Sequence, residues 1–265
     1  MSIITLTSDM GIKDFYLASF KGSIYKALPE VNIVDISHFV TPFDISQAAF
    51  IVKNTYKDFP DKTIHIVNVD PESTESNYHI IVEYDNQYFI GNDNGMFSLM
   101  FDKHPEKVWK INAPENIGDT SFPSKSIFIW AAVQLAKGAS PDDLGEKIDG
   151  VNSLAAYHPV VMPNLIKGTV IFIDSYGNVI TNVSKSLFES TANNRRYKIY
   201  FRGDSYGIES ISKSYNDVSP GEKLATFGPG DLLQISINRG VEGSGGGANK
   251  LLGLRLNDIV RIEFG

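Results

Sequence analysis

An α/β amino-terminal domain with a mainly parallel sheet covered by helices, followed by an all-β barrel domain, is the architecture that the sequence predicts. Three observations carry this reading. Extended and helical periodicities alternate up to about residue 150. Beyond about residue 165 the apolar runs become short, β-rich and separated by Gly, Asn, Asp and Pro. The 265 residues, set against a usual domain of about 150, give between one and two domains, and a hydrophobic content of 42% can fill both cores. The expected limits are 1–155 for the first domain and 165–265 for the second, with 156–164 as a linker.

Ile3-Ile4-Thr5-Leu6 is a β-rich run, and the apolar residues from Asp14 to Leu28 recur at helical spacing through Phe15, Leu17, Phe20, Ile24 and Leu28. Val31 to Ile36 reads as a second strand. Asp44, with Gln47 three residues on, has the form of a capping box before Ala48 to Val52. Thr63 to Val69 is a third strand, and Tyr78 to Tyr84 with Gln87 to Ile90 forms a hairpin across Asp85-Asn86. Val108 to Ile111 adds a strand, and Ser124 caps a helix that runs past Trp130 to a stop at Gly138. Two prolines within 157–165 and the lack of a helical period suit a surface linker. Val170–Ile173, Val179–Val183, Tyr197–Phe201, Lys223–Phe227, Leu232–Ile237 and Ile259–Phe264 then read as strands of a small barrel.

The absence of cysteine removes disulfides, thiolate metal sites and cysteine nucleophiles, so any nucleophile or ligand is oxygen or nitrogen. With 24 basic and 31 acidic residues the formal charge is −7, which gathers neither nucleic acid nor an anionic membrane. A small molecule is the expected partner. The start, MSIITLTSDMG, has no basic leader or long apolar stretch, and no apolar run approaches the length of a membrane span. A cytoplasmic protein is expected.

Ligands of open parallel sheets bind beyond the carboxyl ends of the strands. Three such places carry acids: Asp9, with Asp14 after it; Asp35, with His38; and Asp70. Asp14 also fits a helix N-terminal acid, and His38 fits a residue that satisfies a buried carbonyl. The turn Ser8-Asp9-Met10-Gly11-Ile12-Lys13 lacks the spaced glycines of a dinucleotide site and the Lys-Ser/Thr of a P-loop. Gly243-Ser244-Gly245-Gly246-Gly247 precedes no clear helix and reads as a flexible loop, and it lacks the spacing of a hydrolase nucleophile elbow. A calcium-binding strand end of the nucleoside hydrolase kind would need further acids where Ser8 and Lys13 stand.

An ordered set of segments carries a resemblance over nearly the whole chain: Thr7-Ser8-Asp9-Met10-Gly11, Asp14-Phe15-Tyr16, Lys21-Gly22, Asp35-Ile36-Ser37-His38, Val69-Asp70-Pro71, Gly91-Asn92-Asp93-Asn94-Gly95 and Asp174 through Asn182. In order and spacing they resemble the S-adenosylmethionine hydroxide adenosyltransferase family, which is related to the fluorinases and chlorinases. The resemblance implies a homotrimer with active sites between one subunit's first domain and its neighbour's second. It implies that Asp9 holds the ribose hydroxyls, that Asp174 and Asn178 hold the methionine amine and carboxylate end, and that Phe43, Tyr176 and the backbone around Ala248 line the ribose and adenine. No metal or redox cofactor is implied.

In the hydrolytic members that the chain resembles, Asp, Arg and His orient a water for attack on the ribose 5′ carbon. Of these the chain keeps Asp70; Asn77 stands in the arginine position and Pro123 in the histidine position. Asparagine carries no positive charge and a proline side chain neither donates nor accepts. Two readings follow, weak hydrolysis carried by Asp70 with help from Lys125 or His38, and binding of S-adenosylmethionine or adenosine without turnover. A third is halide use, because Ser124 falls where halogenating relatives meet the halide, although Asp70 would set a carboxylate beside the anion.

Overall fold

The computed structural model describes residues 2–117, 122, 124–155, 157–201, 203, 207–228, 230–240 and 246–265. The chain divides into two compact units, Met1–Ala155 and Ala156–Gly265.

The first unit opens with two strand–helix–strand steps: β1 (Ile3–Ser8), α1 (Phe15–Ala27), β2 (Asn32–Ser37), α2 (Ile45–Lys53) and β3 (Ile64–Asn68). A hairpin follows, β4 (His79–Tyr84) and β5 (Gln87–Asn92), whose turn places Asp85 and Asn86 at positive φ as a tight turn demands. Then come α3 (Met96–Met100), β6 (Lys107–Ile111), a π-helical turn (Ser124–Phe128), α4 (Ile129–Ala136), α5 (Pro141–Leu144) and β7 (Gly145–Ile148). The sheet order is β2-β1-β3-β5-β4-β6-β7. Its first four strands are parallel, whereas β4, β6 and β7 join antiparallel. The parallel half is the one built by helical crossovers, and it carries the acids singled out above.

Alternation of side chains divides the sheet into two buried faces. Ile4, Leu6, Ile64, Ile66 and Ile90 pack against Leu17, Phe20 and Ile24 of α1 and against α4. Val67, Val82 and Phe89 pack against α2 and α3 on the other face. The Asp44 carboxylate accepts from the Gln47 amide as a helix cap, but the Gln47 side chain accepts from Thr41, so the capping box is not reciprocal. Ser124 differs from its expected role: it opens the π-helical turn, α4 starts at Ile129, and the Ser124 hydroxyl caps nothing among the described residues.

The second unit is antiparallel, with β8 (Val160–Met162), β9 (Leu165–Ile173), β10 (Val179–Ser184), β11 (Tyr197–Phe201), β12 (Gly207–Ile208), β13 (Lys223–Phe227), β14 (Leu232–Ile237) and β15 (Ile259–Phe264). The strands run β12-β11-β15-β9-β10-β14-β13, and a bridge from Ile211 to Ala225 joins the two ends into a near-barrel. The segment expected to be a bare linker contains β8, which pairs with β9 in a short hairpin; Pro159 and Pro163 flank the strand and leave its interior amides free to pair. Two short helices escaped the sequence reading, α6 (Lys185–Ala192), capped by Ser184, and α7 (Ala248–Leu251). The glycine stretch therefore does run into a helical turn, although Gly243, Ser244 and Gly245 lie outside the described residues.

Candidate functional site

In the first unit Ser8 and Asn68 pair across β1 and β3, so Asp9, one residue beyond Ser8, and Asp70, two beyond Asn68, both emerge at the carboxyl edge of adjacent parallel strands. Asp9 accepts from the Phe43 amide at 2.9 Å, which ties the loop after β1 to the loop after β2. Phe43 has φ of 67° and is 70% exposed. A bulky residue in that region is strained and is held there by its surroundings, a pattern that clusters at ligand loops.

Asp70 has φ of 49°, again left-handed. Its carbonyl accepts from the amides of Asn92 at 3.2 Å and Asn94 at 3.3 Å, and the next carbonyl, that of Pro71, accepts from His79 at 2.9 Å. Burial pushes the His79 pKa down, against the Pro71 carbonyl and the Glu72 charge, so the ring holds this loop as a neutral donor. The backbone of Asp70 is thus clamped, while its carboxylate makes no hydrogen bond or ion pair among the described residues.

His38 does not serve a buried carbonyl. Its Nδ1 lies 2.7 Å from the Ser8 hydroxyl and its Nε2 lies 3.0 Å from Asp35, whose second oxygen meets Lys21 at 2.5 Å. Partial burial resists ionisation of Asp35, but His38 and Lys21 outweigh it and hold the carboxyl below its ordinary value. Asp35 lies within β2 and is engaged by His38 and Lys21, so of the three acid-bearing strand ends two, those of Asp9 and Asp70, carry their carboxylate beyond the strand. Asp14 precedes α1 without a side-chain cap bond. Among the described residues no group of three or more His, Asp or Glu side chains is placed to hold a metal.

Asn77 closes a turn with Thr74, and its side-chain oxygen accepts from Asn152 at 3.4 Å. Ser124 is fully buried and Lys125 half-buried. Pro123 lies outside the described residues.

In the second unit Asp174, Tyr176 and Asn178 line one cleft of about 850 Å³. Asp174 Oδ1 accepts from the amides of Tyr176 and Asn178, each at 2.9 Å, and Oδ2 accepts from the Asn178 side chain at 2.8 Å. This loop turns at Gly177, with φ of 77°, and its Gly177 carbonyl accepts from Asn249 at the start of α7. A Cβ at Gly247 would collide with the Tyr176 carbonyl, so the two segments pack at backbone contact. Ala248 itself is fully buried in the barrel core and presents no side chain to the cleft; its neighbours brace the loop.

The other residues that line the cleft escaped the sequence reading. Tyr215 and Phe227 add aromatic faces, and Lys213 and Arg239 add positive charge opposite in sign to Asp174. Gln234 and Ser236 hold the Tyr215 hydroxyl at 2.5 and 3.2 Å. A pocket of this size with aromatic faces and both signs of charge suits a zwitterionic small molecule that carries a flat ring. The inward alternation of Gln234 and Ser236 along an otherwise aliphatic strand is the signal that could have marked it.

Fold and site together define a two-part small-molecule protein, with polar groups at a parallel sheet edge in one half and a braced acid in a β cleft in the other. Family models described as the SAM hydroxide adenosyltransferase N-terminal domain and C-terminal domain match residues 4–145 and 168–261. The chain belongs to that family. It is 29% identical over 191 residues to a protein of Methanocaldococcus jannaschii named (R)-S-adenosyl-L-methionine hydrolase, covering 70% of this chain and 68% of the relative. A Thermus thermophilus protein of the same name is 24% identical over 99% of this chain and 100% of its own. A fluorinase of Nocardia brasiliensis is 23% identical over 71% of this chain and 73% of its own. An uncharacterised conserved protein from Thermotoga maritima has the same fold, with a TM-score of 0.87 and 26% identity over 98% of this chain and 99% of that one.

Proposed function

We propose that the protein hydrolyses S-adenosylmethionine to adenosine and L-methionine by displacement at the ribose 5′ carbon. The observation that carries the reading is Asp70, clamped through its backbone at positive φ at the same sheet edge as Asp9, with a carboxylate that makes no hydrogen bond or ion pair among the described residues. A carboxylate so placed can take a proton from an attacking water, while methionine leaves a sulfonium centre as a neutral thioether and needs no acid. Asp9 would accept hydrogens from the ribose diol, with Phe43 against the sugar. Asp174 would meet the methionine ammonium, and Asn178 would stand beside that end. Tyr176 and the backbone around Ala248 would border the adenine.

The assay is incubation of the purified protein with S-adenosylmethionine and chromatography for adenosine and methionine, beside an Asp70→Ala control. Adenosine at the level of the control would end the hydrolytic reading. Binding without turnover is the second reading, favoured by Asn77, which is neutral and engaged with Asn152. Calorimetric binding with no product would establish it. A homotrimer whose sites are completed by neighbouring copies is proposed as the assembly, and a monomeric mass by light scattering would overturn it.

A further inference from the structure

The parallel register aligns polar residues at the strand ends. Ser8 stands opposite Asn68, and continuing the β3–β5 register from Ile66 and Ile90 by two residues sets Asn68 beside Asn92. His79 stands opposite Asn92. Because side chains alternate, this row lies on the face of Leu6, Ile66 and Ile90, the face covered by α1 and α4. The edge-on contact of His79 with Phe128, at 5.1 Å, belongs to the same face. The π-helical turn that begins at Ser124 packs on β5. Ser124 is 0% exposed, Asn68 3% and Asn92 1%.

Ser8 has His38 as its partner, and His79 has Pro71. Among the described residues, Asn68 Oδ1, Asn92 Oδ1 and Ser124 Oγ have none. Buried polar atoms are normally paired, with protein or with ordered water. The chemistry of these atoms selects their occupant. Two amide oxygens only accept, so the occupant must carry hydrogens to donate, and a hydroxyl can meet its lone pair. Water fits. A halide would face the negative ends of two amide dipoles and the Asp70 carboxylate. Asn92 also links this row to Asp70, because its amide nitrogen donates to the carbonyls of Asp70 and Glu72 at 3.2 and 2.5 Å.

We propose that Asn68, Asn92 and Ser124 form a buried well adjoining Asp70 that holds the nucleophilic water, a role resting on the hydrolytic reading above. By accepting its hydrogens the amide oxygens raise the electron density on the water oxygen. In the attacking geometry the water keeps one hydrogen on an amide oxygen and turns the other to Asp70; its oxygen forms the bond to the 5′ carbon, the carbon–sulfur bond breaks with its pair going to sulfur, and the proton turned to Asp70 passes to that carboxylate. Sulfonium and carboxylate become thioether and carboxylic acid, so charge balances.

The test combines a high-resolution crystal structure with kinetics of Ser124→Ala, Asn68→Leu and Asn68→Asp. Density for a water bonded to both amide oxygens is expected in the wild type. Ser124→Ala and Asn68→Leu are expected to lower kcat about tenfold or more with the dissociation constant for S-adenosylmethionine within about twofold, and Asn68→Asp, which restores an acceptor, to recover part of it. Amide oxygens closed on protein groups without water, or variants with wild-type kcat, would overturn the well. Melting temperatures separate a folding defect from a catalytic one, and Ser124→Ala removes a single buried hydroxyl should Asn68→Leu fail to fold. The two readings fail separately. Wild-type protein that makes no adenosine overturns the hydrolysis and the nucleophilic role, while the crystal decides whether the well holds water.

Discussion

The two halves hold their key acids in opposite ways. Asp174 is saturated by its own loop, with three donors on its two oxygens, so its position is set before any ligand arrives. Asp70 is held only through its backbone, at a positive φ, and its carboxylate is left free of protein partners among the described residues. The first arrangement suits recognition, because a preorganised acid loses little entropy on binding. The second suits chemistry, because a carboxylate that must accept a proton is poorly served by donors that stabilise its ionised form.

The largest expected effect breaks this contrast at Asp70. Asp70→Asn should lower adenosine formation by about 10²- to 10⁴-fold, with the dissociation constant for S-adenosylmethionine nearly unchanged. Measured by single-turnover chromatography and calorimetry, equal losses in both would erase the proposed division of labour. Asp174→Ala should do the reverse. Loss of its charged hydrogen bonds, about 1.5–3 kcal/mol each, should raise the dissociation constant by about tenfold to a hundredfold while turnover at saturation falls less.

Acid should separate the halves as well. His65, wholly buried between Thr5 and Gln87, is pushed by burial from its ordinary value of 6.5 to about 4, against the hydrogen bond its Nε2–H donates to the Gln87 side-chain oxygen. Burial lowers His79 too, whereas His158, the histidine of the second unit, is exposed. Between pH 6.5 and about 4 the unfolded chain binds a proton that folded His65 refuses. Stability from His65 is therefore complete above 6.5 and is lost as pH falls toward 4, by about 3 kcal/mol. Melts from pH 7 to 4 should show this decline flattened in His65→Gln, and an unchanged slope would refute the assignment. The smallest effect is a matched pair of helix caps: Asp44→Ala in the first unit and Ser184→Ala in the second should each cost about 1 kcal/mol in denaturant unfolding. Unequal losses would show that the halves differ in general robustness and not only at their sites.

Local periodicity made most strands legible. The hairpin over Asp85-Asn86 and the six β runs of the second half stand within a few residues of where alternation and turn residues place them. Ser124 misled because a hydroxyl before an apolar run looks the same ahead of an α-helix or a π-helical turn, and the difference lies in what packs above it. β8 was hidden by its flanking prolines, since its three residues are too few for alternation to show. At the site, Asp174, Tyr176 and Asn178 were legible as one turn, whereas Lys213, Tyr215 and Arg239 reach the same cleft from distant strands and loops.

By itself the sequence determined the α/β and all-β halves, the family and the acids Asp9, Asp70 and Asp174, because each is written in contiguous residues. Which of those acids is saturated, which is free, and which buried amides lack a partner depended on register between β1, β3 and β5. Register is a long-range choice, made by burying Leu6, Ile66 and Ile90 on one face together, and only the tertiary structure decided it.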